Sequence, residues 1–413
     1  MKSLRLLHIT DLHRKEKVRI NSSDIIGDFK DNTIPAKYNS IVTDNWEDNC
    51  IKAILQWERL HSKIDAIICT GDLGDKGIVT TIEEGVSFLN LLCDKLSIEK
   101  TNLIICPGNH DLERDKGDSA FTNFETMLQK EGFQSFCTKE DIKIVKIKDI
   151  SIFAINSCLG GTAQSLFIDK YKEIICNLTD DEDKEIRKQL DSLCQNYMVD
   201  YLDIPIIGNE QIDKLERDIT NMDDNDSAII LMHHNPYPNK SVEFRPYCNT
   251  IDSGKTLSRL RGTNKNIFIL HGHIHFEDSI ITFSPKNRNN FVASIGGGAL
   301  NNANGSMVAI LEFFFTDTGN HILTNVYKIS KNSSGFELDG HYSIYDNKLT
   351  TKQMKIDYDK PLKDNPGLIF SQLLTETNNP EKDDLLKVLL KDPAIKIDRK
   401  STEDYQQWYI SKH

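Results

Sequence analysis

The 413-residue chain contains no uninterrupted apolar run close to the length of about 20 residues that a bilayer-spanning helix needs, so no membrane association of that kind is expected. Its opening, Met-Lys-Ser-Leu-Arg-Leu-Leu-His-Ile-Thr, superficially resembles a signal peptide. The apolar stretch is too short, however, and reaches Asp11 without a small-residue cleavage site, so it reads as a first core strand. A cysteine framework is also lacking. The nine cysteines are odd in number and scattered, and none are spaced as CxxC, which excludes a disulfide scaffold and a zinc knuckle. Cys69 and Cys106 lie in apolar runs, as buried free thiols in a reducing cytoplasm would. An excess of positive charge is lacking: 50 Lys and Arg stand against 62 Asp and Glu, and a formal net charge of -12 argues against a broad basic surface that coats nucleic acid. An anionic substrate is still allowed, because bound divalent cations would dominate the local field. Internal repeats and low-complexity tracts are absent.

What is present is an alternation of short apolar runs with helical patterns. Strand-type runs fall at 4–9, 64–69, 103–106, 150–156, 228–232, 267–270 and 291–295. Helical spacing appears at 46–61, 83–96, 121–129 and 210–219. This alternation predicts an α/β core. The runs at 307–315 and 321–329 lack an intervening helix and predict an antiparallel addition. Segments near 14–44 and 166–205 read as insertions on a domain spanning 1–330. The composition changes after Lys331, so 331–413 reads as a C-terminal appendage or the start of a further region, with weak strand patterns and then helices near 383–390 and 402–410.

Five polar clusters stand where apolar runs end. Asp11-Leu12-His13 comes first; alone, Asp-x-His is a common surface turn. In extended backbone, residues two apart face one side, with α-carbons about 6.5–7 Å apart, so carboxylate and imidazole could close on one cation. Next is Gly71-Asp72-Leu73-Gly74-Asp75-Lys76-Gly77, where glycine permits a sharp exit from the sheet and the Asp72 carboxylate has two oxygens with which to bridge two cations. The third, Pro107-Gly108-Asn109-His110-Asp111, is the most specific: Asn offers a neutral oxygen ligand, and the adjacent His is free to face a substrate. His233-His234-Asn235-Pro236 and Gly272-His273-Ile274-His275 complete the set. Six of the twelve histidines lie in these clusters, a bias that calls for a shared role.

The ordered pattern Asp-x-His, Gly-Asp, Gly-Asn-His-Asp, His, Gly-His-x-His resembles the calcineurin-like metallophosphoesterase superfamily over roughly residues 1–330. The resemblance implies a four-layer αββα sandwich with two mixed β-sheets flanked by helices. It implies one metal held by Asp11, His13, Asp72 and His275. A second would be held by Asp72, Asn109, His233 and His273, with Asp72 bridging. His110 matches the non-ligand histidine that protonates the leaving oxygen or stabilises the transition state, and Asp75 the carboxylate that orients it. A mixed His, carboxylate and amide donor set suits two divalent transition-metal ions (Mn, Fe, Zn, Co or Ni) better than calcium.

The expected reaction is two-metal phosphoester hydrolysis. Lys76 stands where the protein-phosphatase branch has arginine. The Asp after Asn-His, the intact Gly-His-x-His and the helix at 208–216 are closer in style to class III cyclic-nucleotide phosphodiesterases. A phosphodiester of nucleotide type is therefore the expected substrate. A DNA or RNA nuclease of the double-strand-break-repair type is the alternative, resting on Lys240, Arg245, Lys255, Arg259, Arg261 and Lys265 between two ligand motifs. His234, Arg259 and Arg261 are the expected substrate contacts. A non-catalytic scaffold is a third reading, and the C-terminal region is a candidate docking point for a protein partner.

Overall fold

The structure, a computed structural model, describes residues 2–14, 46–162, 204–237 and 249–345, and parts of 361–412, with short breaks inside those spans. The expected insertions near 14–44 and 166–205 lie almost wholly outside the described residues. Strand β1 (Lys2–Ile9) is apolar on both faces because both are covered. Leu4 and Leu6 point between two sheets, while Leu7 and Ile9 point toward helices. Helix α1 (Trp46–Leu60) buries Cys50, Ile51, Ala53, Ile54 and Trp57, one stripe at helical spacing. After it come β2 (Ala66–Cys69), α2 (Val79–Leu96) and β3 (Leu103–Ile105), and β1, β2 and β3 run parallel.

Helix α3 (Thr122–Lys130) leads to a hairpin of β4 (Lys143–Ile147) and β5 (Ile150–Ala154). The chain continues through α4 (Asn209–Thr220), β6 (Ser227–Leu231), α5 (Ser253–Gly262) and β7 (Asn266–His271), then β8 (Asp278–Phe283) and β9 (Phe291–Gly296). It finishes the main body with β10 (Met307–Phe315), β11 (His321–Asn332) and β12 (Gly335–Tyr345). One sheet has the order β12-β11-β10-β1-β2-β3, the other β4-β5-β6-β7-β9-β8. Their inner faces share a core in which Leu6, Ile68, Ile104 and Leu311 meet Ile152, Leu231, Phe268 and Leu270. Helices α1 to α3 cover the outer face of the first sheet, and α4 and α5 that of the second. The layers are αββα.

Three differences from the sequence reading have local causes. Strands β4 and β8 went unread because each is a short edge strand whose alternate residues are more exposed, leaving no continuous apolar run. The break expected at 330 falls inside β11, which pairs along its length with β12, so the sheet continues to Tyr345. The appendage contains β13 (Gly367–Ile369), α6 (Phe370–Glu376), β14 (Ile395–Asp398) and β15 (Tyr409–Lys412) in a sheet ordered β13-β15-β14. The last part of the helix expected at 402–410 is therefore strand. Trp408 and Ile410 are buried at alternate positions, and the backbone pairs on both sides. Trp408, Phe370 and Leu373 pack with Phe314, Ile322 and Leu323, which joins the appendage to β10 and β11.

Candidate metal centre

Parallel strands deliver their carboxyl ends to one side of a sheet, and here the two sheets bring those ends together. The loop after β1 is tied to the loop after β2 by Asp11 N donating to Gly71 O (3.1 Å) and His13 N to Asp72 O (2.9 Å). Across the sheets, His273 N donates to Asp11 Oδ2 at 3.0 Å. Glycine is required where loops touch. A Cβ on Gly108 would overlap the Asp72 carboxylate, and one on Gly272 would overlap the Thr10 hydroxyl.

Asp11, His13, Asp72, His273 and His275 all have left-handed backbones, with φ between 40° and 72°. Such conformations cost non-glycine residues on the order of 1 kcal/mol each and concentrate at functional sites. This corrects the extended geometry expected for Asp-x-His. The two histidines of the last motif diverge rather than share one side. His273 Nδ1 lies 3.2 Å from Asn109 Oδ1, while His275 Nε2 lies 3.2 Å from Asp11 Oδ1.

Two groups of donors result. In the shallow group, His13 Nε2 is 2.9 Å from His275 Nε2, 3.7 Å from Asp11 Oδ1 and 3.5 Å from Asp72 Oδ2. In the deep group, His233 Nε2 is 2.9 Å from Asn109 Oδ1 and 3.3 Å from Asp72 Oδ2. Asp72 Oδ2 is common to both. Metal–ligand bonds of about 2.0–2.2 Å put neighbouring donors roughly 3–3.5 Å apart, so these separations suit one cation per group. His233 Nδ1 donates to the Thr70 carbonyl at 2.7 Å, which leaves the Nε2 lone pair for the site.

Electrostatics agree with that donor set. Burial works against charge on Asp11, yet hydrogen bonds from His13 and His275 hold its carboxyl well below the usual range. Asp72 is depressed in the same way, with burial outweighed by His233, His110 and His13. Despite burial, the two carboxylates raise His13 to about 9 and His233 to about 10. The acidic pair thus demands nearby positive charge, and protons on these rings compete with cations for it. Burial and the charge on His233 push His273 down to about 3, the neutral form that ligates.

His110 occupies the mouth of the site. Its backbone N–H donates to Asp72 Oδ1 and its Nδ1 pairs with Asp75 Oδ1, both at 2.8 Å. Its ring centroid is 4.7 Å from that of His13.

The profile of the calcineurin-like phosphoesterase family matches residues 4–277. The chain belongs to that family. Similar solved structures include a dimetal phosphatase from Danio rerio, 13% identical, with a TM-score of 0.48 and coverage of 83% of this chain and 99% of that one. A phosphopantetheinyl hydrolase from Mycobacterium tuberculosis is 13% identical, with a TM-score of 0.34 and coverage of 72% of this chain and 90% of that one. No curated protein matches the chain. As a calcineurin-like phosphoesterase, it carries ligand groups for two metal ions, whose identity is open.

The expected substrate contacts are placed elsewhere. Arg259 pairs with Asp213 and Glu216 of α4, and Arg261 Nε donates to Leu257 O at 3.2 Å. Both stand on α5, which returns the chain to the start of β7, a strand length of roughly 20 Å from its carboxyl end. Of the other cations in that segment, Lys255 bonds Asn209, and Lys265 bonds the carbonyls of Met222 and Asp223; Lys240 and Arg245 lie outside the described residues. His234 has no exposed surface.

Sequence reasoning missed the residues that hold the ligands. The buried Asp111 carboxylate accepts the N–H groups of Asp72, Leu73, Gly74 and Gly108, fastening two ligand loops together. Ser157 Oγ accepts the N–H groups of His233 and His234. A polar Asn156-Ser157 pair ending the run at 150–156 was the available signal. Among the described residues, no helix is long and apolar enough to cross a membrane, and six cysteines are buried free thiols.

Proposed function

We propose that this phosphoesterase hydrolyses phosphodiester bonds in nucleotide-type substrates. The observation that carries hydrolysis at this site is Asp72, whose Oδ2 lies within 3.5 Å of His13 Nε2 and within 3.3 Å of His233 Nε2, common to both donor groups. Asp11, His13, Asp72 and His275 would hold one divalent ion, and Asp72, Asn109, His233 and His273 the other. When bound, such a pair supplies Lewis-acid charge to the phosphoryl group and a nucleophilic water at neutral pH.

The remaining work falls to the protein. Asp75 accepts from His110 Nδ1, leaving Nε2 to hold a proton for the departing oxygen. Both side chains are about a third exposed (31% and 36%), so a substrate can reach them. The choice of diester is supported by the Gly-Asn-His-Asp and Gly-His-x-His motif style. The nuclease reading loses support, because the described cations of the 239–265 segment are bonded to protein groups.

A metal-supplemented panel of a monoester, a simple diester, cyclic nucleotides, and single- and double-stranded nucleic acid tests this. Diester and cyclic-nucleotide turnover with nucleic acid untouched is the expected result. Salt-sensitive cleavage of DNA or RNA would replace it with the nuclease reading, and inactivity throughout with the scaffold.

A further inference from the structure

His234 is buried among the ligands of the deep group, yet no family motif gives it a role. Its ring centroid is 4.4 Å from that of His273 and 4.9 Å from that of His233. One ring nitrogen from each of His233, His234 and His273 lies within 4.8 Å of the others. His234 Nδ1 is 3.0 Å from Ser157 Oγ, and its Nε2 is buried without a partner among the described residues. The arrangement parallels that of His233, in which Nδ1 is held by an oxygen and Nε2 serves the site.

We propose that His234 is an additional ligand of the deep metal position, binding through Nε2 with Ser157 as its orienting partner. This rests on the two-metal reading above. Two nitrogens on opposite sides of one cation are about 4.2 Å apart and neighbouring ones roughly 3–3.5 Å, so imidazoles now within 4.8 Å of one another need to close by roughly 0.6 Å for an opposed pair and by up to about 1.8 Å for neighbours. The tautomer must also change. Ser157 Oγ already accepts two backbone N–H groups, so in the metal-free protein its hydroxyl donates to Nδ1. The ring proton then sits on Nε2 as a buried donor without an acceptor, a costly arrangement. Metal binding moves that proton to Nδ1, which donates to Ser157 Oγ in place of the longer of its two backbone bonds (His233 N, 3.2 Å) as the serine hydroxyl turns away. No proton is gained or lost.

The deep position would then offer three imidazoles, an amide oxygen and a carboxylate, against two imidazoles and two carboxylates in the shallow one. A nitrogen-rich set favours Zn, Ni or Co over Mn, so the two positions would differ in preference.

The test uses the full chain, stripped with chelator and labelled with 15N in its histidines, titrated with Zn2+. The expected result is that His234 ring signals, assigned by their loss in His234→Gln, switch from the Nε2–H to the Nδ1–H form as the deep position fills. In His234→Gln the corresponding equivalent should bind more than about 10–100-fold more weakly, the loss that removing only an orienting partner of a ligand already causes. Ser157→Ala should weaken it less, with two equivalents still reached at high Zn2+. Unmoved His234 signals beside shifted His233 signals and two bound equivalents would overturn the proposal while leaving the two-metal reading standing. If the native chain took up fewer than two equivalents with His233 unmoved, both would fall. The titration of native protein decides the matter even if His234→Gln does not fold, because Ser157→Ala then identifies the ring.

Discussion

The two halves of the metal centre draw on the same side-chain types and differ in depth. In the shallow half, the His13 and His275 side chains are 17% and 36% exposed, and His110 and Asp75 stand at the same opening. In the deep half, His233 and His234 have no exposed surface and Asn109 is 5% exposed. Ligands reached by solvent exchange their partners readily, whereas enclosed ones are held by backbone contacts such as the Thr70 carbonyl on His233. On the proposed two-metal reading, the contrast would give substrate handling to the outer half and anchoring to the inner half, with Asp72 shared.

Removing the shared residue should break the contrast most completely. Asp72→Ala is expected to lose metal from both halves and to reduce kcat/KM by roughly three orders of magnitude or more; metal analysis and turnover check it, and undiminished activity would discard the bridging role. His110→Ala touches only the outer half. Turnover should fall by about 100- to 10,000-fold with both metal equivalents retained, and metal loss instead would make His110 a ligand. Chelation should sharpen the contrast without mutation: timed EDTA treatment is expected to release one equivalent well before the second, and His13→Ala should speed only the first phase. A single phase for both would mean that depth does not govern retention.

The smallest effect separates the centre from the core. His321 packs against Phe268, Phe291 and Phe315, and burial pushes it down to about 3. It is neutral when folded and protonates on unfolding, so its contribution is complete above about pH 6.5 and is lost as pH falls toward 3. In metal-stripped protein, His321→Gln should flatten the fall in stability across that window by about 1.4 kcal/mol per pH unit. Denaturant midpoints between pH 7 and pH 5 measure it, and an unchanged slope would mean that the ring is already charged in the native core.

How much the sequence disclosed follows from the same physics. Strands covered on both faces, such as β1 and β7, are continuous apolar runs and could be read directly. Edge strands β4 and β8 could not, since alternation over five or six residues is a weak signal. The candidate ligand residues that the fold gathers were legible as a set because each follows a strand end. Their left-handed backbones, the depth of His234 and the four N–H groups on Asp111 depend on loops brought together from far apart in the chain. Arg259 and Arg261 were misplaced for a related reason. Lying between two ligand motifs in sequence, they sit on a crossover helix that carries the chain to the opposite end of β7.

Strand β1 is flanked by β2 on one side and β10 on the other, and Leu7 faces Ile310, a partner roughly 300 positions away. During synthesis, the strand that ends in Asp11 has one edge bare until the segment carrying β10 emerges, with its apolar residues open to wrong pairings. Maturation of this enzyme therefore waits on a remote piece of chain. A chaperone that shields β1 in that interval would raise the yield of active protein without affecting the finished catalyst.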